Sequence, residues 1–299
     1  MSDGSSMLLM GLKGSGKTSF LAALWHLVES NELPTGLTAP KLQPDRQYLN
    51  RIRDSWLRFE EVGRTSLRSQ EVVSLLLNDS QTEGTVSITV PDLSGEVFRL
   101  QWATRRANRQ YVEFASGSSG LLLLIHPANV DAGTRIPLSK EDVAIAASSE
   151  SSNSNFSERV PGATRDWSAN FSPTQVQLVD LLQMLFEIRV SAAPLRIAVM
   201  ISAWDLIKEP ILPSSWLERR LPLLFQYLVA NSETLEFRTY GISALGGDLH
   251  TDRRRLQDEP LPSRRIKVVE NQFDPHGDLT APIRFLLGLS DLRPKVSGG

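Results

Sequence analysis

Apolar residues recur along this chain in two rhythms. Short apolar runs at residues 7–10, 120–125 and 195–201, the last interrupted by Arg196, have the length and texture of strands buried on both faces. Between them lie stretches with helical spacing. Phe20, Leu21, Leu24, Leu27 and Val28 mark an amphipathic helix just after the first run, and Tyr48, Ile52, Trp56 and Phe59 mark another over residues 45–62. Residues 31–44, between those helices, read as loop. Residues 71–77 form an apolar strand and residues 85–90 an alternating one, and their short connection predicts an antiparallel hairpin. Further on, residues 174–190 are apolar enough for a buried helix, 214–230 are helical, 236–242 form a strand, and 279–287 form a terminal helix that Gly288 ends. Strands alternating with helices predict an α/β fold. Its sheet is mostly parallel, of about six strands with one antiparallel hairpin strand, and helices cover both faces as a three-layer sandwich.

Residues 127–172 break the rhythm, with a Ser- and Asn-rich run at 147–155 that has little to bury. We read them as a low-complexity insertion within a single domain spanning 1–299. Composition narrows the picture by exclusion. At 41% hydrophobic residues the chain carries a real core, and a net charge of −2 gives no global pull toward nucleic acid or an anionic membrane. The absence of cysteine removes disulfides, thiolate zinc sites and cysteine nucleophiles, and suits a reducing compartment. Four scattered histidines predict no histidine metal cluster. The longest aliphatic run, residues 121–125, is far short of a membrane span, so a soluble cytoplasmic protein is expected.

The chemistry begins at Gly11-Leu12-Lys13-Gly14-Ser15-Gly16-Lys17-Thr18, which fits the phosphate-binding pattern G-x-x-x-x-G-K-[ST] without mismatch. A strand before it and a helix after it supply the context this loop needs. Its glycines let backbone N–H groups point inward at a phosphate, where the helix N-terminus adds positive field. Lys17 is expected to reach the β- and γ-phosphates and Thr18 to ligate Mg²⁺, within a phosphate-binding set of Gly11, Lys13, Gly14, Ser15, Gly16, Lys17, Thr18 and Ser19. Asp92 and Gly95 follow the 85–90 strand as D-x-x-G. An aspartate there would hold Mg²⁺, and the glycine would bring its N–H to a γ-phosphate. An Asx-turn closing the strand is the plainer alternative.

Two more strand ends carry Ser202-Ala203-Trp204-Asp205 and Ser243-Ala244-Leu245. With these, the chain resembles the Ras-like P-loop GTPases over roughly residues 5–125 and 174–290. The resemblance implies that Asp205 accepts hydrogen bonds from guanine and that the Ser243, Ala244 and Leu245 loop supports the base through a backbone N–H. Ser202 and Ala203 stand where that family has Asn or Thr and a lysine, so one wall of the base pocket is missing. The resemblance further implies GTP/GDP and Mg²⁺ as cofactors, an extended first switch at residues 31–69, and a switch threonine. Thr65 is the candidate, with Thr35 and Thr38 as alternatives. The divergent base motif, long switch and low-complexity insertion are similar to bacterial double-GTPase proteins, a group associated with conflict and anti-phage systems.

Glu96 stands where such enzymes usually place a water-orienting glutamine, which makes Lys17, Gly95 and Glu96 the catalytic candidates. Mg²⁺ and Lys17 would have to offset repulsion between Glu96 and the γ-phosphate. Arg99, Arg105, Arg106 and Arg109 read as a solvated helix face or partner surface, with an arginine finger in cis as the alternative. The run Arg253, Arg254 and Arg255, with Arg264, Arg265 and Lys267, reads as a polar loop. The expected function is a slow Mg²⁺-dependent GTPase that switches a regulatory or effector protein. A P-loop ATPase or kinase, or a scaffold without turnover, stays open beside it.

Overall fold

A computed structural model describes residues 5–41, 46–60, 71–80, 84–92, 95–131, 172–191, 193–248, 251–270 and 275–289. The strands are β1 (Ser5–Met10), β2 (Leu37–Thr38), β3 (Glu71–Asp79), β4 (Thr85–Asp92), β5 (Gly120–Ile125), β6 (Leu195–Ile201), β7 (Leu235–Ser243) and β8 (Lys267–Val269). Among the described residues they form one sheet of eight strands in the order β2-β3-β4-β1-β5-β6-β7-β8. The expectation of about six strands fell short because β2 and β8 are too brief to show a period. Residues 31–44, read as loop, contain β2, which pairs Leu37 with Asp79. The neighbours β4, β1, β5, β6 and β7 run parallel, whereas β3 pairs antiparallel with β4 as the hairpin predicted.

The helices are α1 (Lys17–Ser30), α2 (Gln47–Leu57), α3 (Gly95–Thr104), α4 (Arg109–Ser116), α5 (Thr174–Ile188), α6 (Pro213–Arg220), α7 (Pro222–Ala230), α8 (Arg253–Gln257) and α9 (Ala281–Leu287). Alternation along β1 divides the core. Met7 and Leu9 join α1, α2 and α9 on one face, while Leu8 and Met10 join α3 to α7 on the other. Helix α1 is not the one-sided helix its spacing predicts. Ala22, Ala23, Trp25 and His26 are buried along with the predicted stripe, because α2 packs over its outer side and Asn50 accepts a hydrogen bond from Trp25 Nε1 at 2.9 Å. The single helix expected over 214–230 is two, since Pro222 has no N–H with which to continue α6. Phe59 lies beyond α2 with φ 56°, and Gly288 caps α9 with φ 70°, as predicted. The arginine run at 253–255 forms α8 rather than a loop, and Arg265 is buried between Trp56 and Phe59. A buried pair, Arg284 with Asp79, ties α9 to the hairpin. No described helix is long and apolar enough to cross a membrane. Most of the predicted insertion at 127–172 lies outside the described residues.

Candidate functional site

Strand β1 sits between β4 and β5, so the loop leaving its carboxyl end opens at the middle of the sheet. Two residues of that loop hold left-handed backbone, Gly14 at φ 73° and Gly16 at φ 88°, a region that costs a glycine nothing. Ser15 N–H donates to the Leu12 carbonyl at 3.1 Å and closes the curl. Lys17 is the first residue of α1 and only 7% exposed. Its ammonium donates to the Gly11 carbonyl at 2.7 Å, the Leu12 carbonyl at 3.3 Å and Ser15 Oγ at 3.3 Å. Helix α1 starts with no side-chain cap and no acidic residue in its first turn. Its leading N–H groups therefore remain available to an anion, and Thr18 and Ser19 stand half-buried beside them. An uncapped helix start, a buried ammonium and a glycine curl together suit a phosphate chain.

Across the loop, Asp92 is the last residue of β4 and pairs with Glu71. Gly95 then opens α3 directly on the loop backbone. A Cβ there would stand 2.5 Å from Lys13 N and 2.6 Å from Leu12 C, so only glycine permits the approach. The next residue, Glu96, accepts a hydrogen bond and ion pair from Lys13 Nζ at 2.8 Å. Sequence reasoning placed the charge balancing Glu96 on Lys17 and missed this partner.

The residues expected to read the base also converge. Parallel pairing of β6 and β7 brings their carboxyl ends side by side, and Ser243 Oγ donates to Asp205 Oδ1 at 2.5 Å while accepting from Gly246 N–H at 3.1 Å. Asp205 sits in a short 3-10 turn entered through Ala203 in left-handed backbone at φ 46°. In that turn Trp204, partly buried, packs against the edge of the core and over Gly241, where a Cβ would collide with the indole. Ser202 turns inward, donating from Oγ to the Ile125 carbonyl at 3.3 Å. Burial pushes the pKa of His126, just after β5, below its ordinary value, against the raising effect of the Asp205 charge.

Two residues of this site had no sequence signal. Asn129 follows β5 and donates from Nδ2 to the Gly14 carbonyl at 3.2 Å, tying the β5 loop to the phosphate loop. Trp56, on α2, donates from Nε1 to the Ala244 carbonyl at 3.0 Å, so the segment expected to be the first switch touches the loop expected to support the base. Thr65 lies outside the described residues. Thr38 belongs to β2 at the sheet edge, and Thr35 donates to the Leu37 carbonyl at 2.8 Å, which holds both on the far side of the hairpin. Of the four arginines, Arg105 pairs with Asp180 on α5 and Arg109 with Glu113.

Fold and site together define a P-loop protein of the GTPase kind. The sequence matches the Double-GTPase 1 family over residues 8–286, and the chain belongs to that family. It is accordingly a GTP-binding protein. Among solved structures it is similar to the Methanosarcina barkeri Roco2 RocCORdC protein bound to GDP, at 12% identity and a TM-score of 0.31. That match covers 85% of this chain and 48% of the other, so the chain spans about half its length. It is also similar to the signal recognition particle receptor SRβ-GTP/SRX complex of Chaetomium thermophilum, at 16% identity and a TM-score of 0.38, over 85% of this chain and 96% of the other. No curated protein matches the sequence.

Proposed function

We propose that the chain is a Mg²⁺-dependent GTPase switch that hydrolyses GTP slowly and reports its nucleotide state to a partner protein. The observation that carries this reading is the approach of Gly95 to the phosphate loop. It seats the start of α3 on the backbone of Leu12 and Lys13, which supports a helix that responds to the presence or loss of a γ-phosphate bound in that loop. Gly11, Lys13, Gly14, Ser15, Gly16, Lys17, Thr18 and Ser19 hold the phosphates, while Asp205 reads guanine and is kept in place by Ser243, with Ala244 and Leu245 alongside. Thr18, Asp92 and Thr65 are the residues that would hold Mg²⁺, which when bound supplies positive charge to the β- and γ-phosphates.

In hydrolysis a water oxygen bonds to the γ-phosphorus as the bond to the β–γ bridging oxygen breaks, leaving GDP and inorganic phosphate. Lys17 stabilises charge growing on the phosphate oxygens. The Gly95 N–H faces the γ-phosphate, and Glu96 orients the water and accepts its proton. Slow turnover follows from Arg105 and Arg109 being engaged with Asp180 and Glu113 rather than supplied to the phosphates. The exposed face of α3, with Leu100 57% exposed, offers the partner a surface that moves with the nucleotide. A bacterial conflict or anti-phage setting is part of the same proposal and rests on the family resemblance; phage plaque counts with and without the gene test it. One observation favours a second reading, a nucleotide-binding scaffold without turnover: Glu96 is already engaged by Lys13. Single-turnover hydrolysis of labelled GTP, with Lys17→Ala as control, separates the two. GDP formation that needs both Lys17 and Mg²⁺ supports the switch, and tight GTP binding without GDP formation supports the scaffold.

A further inference from the structure

We propose that Lys13 is the counter-charge that lets Glu96 stand beside the γ-phosphate, so that the protein reads the third phosphate through a Lys13–Glu96 pair. The inference rests on the reading of Glu96 as facing that phosphate. A carboxylate there meets the most negative part of a bound triphosphate, and left alone it would favour GDP over GTP. Lys17 is turned to oxygens of its own loop, from Gly11, Leu12 and Ser15. Lys13 reaches Glu96, at 2.8 Å, from the third position of the loop.

Two independent contacts set this geometry. The backbone of Gly95 rests on Leu12 and Lys13, which fixes where Glu96 leaves the chain, and the side chains then close the pair. The pair contributes little to folding, because Lys13 is 54% and Glu96 33% exposed in their side chains, where water screens such contacts. A triphosphate seated in the loop displaces that water and strengthens the coupling. Lys13 is thus a positioning residue: it acts on the phosphate through Glu96, and its ammonium matters for triphosphate more than for diphosphate.

The test is a four-protein cycle of wild type, Lys13→Met, Glu96→Gln and the double variant. Each is titrated with GDP and with the β,γ-imido analogue of GTP in the presence of Mg²⁺. Lys13→Met should lower the preference for the triphosphate analogue over GDP by at least about tenfold, the low end of what close charge pairs contribute at binding sites. The same substitution in the Glu96→Gln background should change that preference less than about twofold, and Lys13→Arg should restore it. Thermal unfolding of Lys13→Met should match wild type. An equal loss for both nucleotides, or an equal loss with Gln at position 96, overturns the proposal. Because the analogue is not hydrolysed, the cycle reads the pair separately from turnover. Wild type that discriminates through the pair yet forms no GDP would sink the hydrolysis reading and leave the pair standing.

Discussion

Replacing Gly95 with alanine adds one methyl group where the start of α3 meets the backbone of the phosphate loop. The new Cβ would lie 2.5 Å from Lys13 N and 2.6 Å from both Leu12 C and Lys13 Cα. All three are backbone atoms and cannot swing aside as the tip of a side chain would. Ordinary contact requires the start of α3 to retreat by about 1 Å. The rest of α3 cannot follow, because Phe98 and Trp102 are buried in the core beneath it. The strain therefore falls on the first turn, at the cost typical of overpacking, about 1–3 kcal/mol. That disfavours the closed arrangement by roughly 5- to 150-fold. Single-turnover hydrolysis should slow by at least about fivefold while GDP affinity stays within about threefold, since GDP lacks the γ-phosphate that α3 is proposed to sense. A Gly95→Ala protein that hydrolyses GTP at the wild-type rate would refute the claim that this contact belongs to the working site.

Other perturbations separate the parts of the account. Trp56→Phe keeps an aromatic ring but removes the donor to the Ala244 carbonyl, worth about 1 kcal/mol; GTP and GDP should weaken together, by about fivefold, in equilibrium titration, and a loss confined to GTP would contradict a base-side role. His26 is pushed below its ordinary 6.5 by burial, which outweighs the raising effect of Glu32, so the unfolded chain takes up a proton before the folded one does. Its contribution is present above pH 6.5 and is lost as the pH falls toward the folded value. The Tm should drop over that window, and less steeply in His26→Gln. Arg284→Met removes the buried cation that pairs with Asp79, itself 2% exposed, and should cost about 3–5 kcal/mol in chemical unfolding.

What the sequence reveals and conceals follows from where each signal is stored. Strands β5 and β6 are legible to the residue, because burial on both faces writes an apolar run, unbroken in β5 and interrupted in β6 by Arg196. Strand β2 is concealed, since two residues pairing with β3 carry no period of their own. The burial of α1 on all sides is also concealed, because the covering helix α2 reaches it only in three dimensions. At the site, the phosphate loop is legible as a local pattern, and Asp205 and Ser243 as ends of neighbouring strands. Their mutual hydrogen bond depends on the register of β6 against β7. Asn129, Trp56 and the pairing of Lys13 with Glu96 are tertiary contacts over long sequence separations, between residue types common on any surface. The departures at Ser202 and Ala203 are visible in sequence, whereas the packing of Trp204 over Gly241 is a tertiary contact.

The central claim is that this site binds guanine nucleotide through Asp205, despite the missing lysine wall. The direct measurement is titration of wild type and Asp205→Asn with fluorescent GTP and ATP, with and without Mg²⁺. Asparagine can still accept the Ser243 hydrogen bond, so the loop should keep its shape. Wild type should bind GTP more tightly than ATP, and Asp205→Asn should weaken GTP by at least about a hundredfold, as expected for losing a charged acceptor of two hydrogen bonds. ATP affinity should change little. ATP binding as tight as GTP in the wild type, or GTP binding untouched by the substitution, would contradict the account.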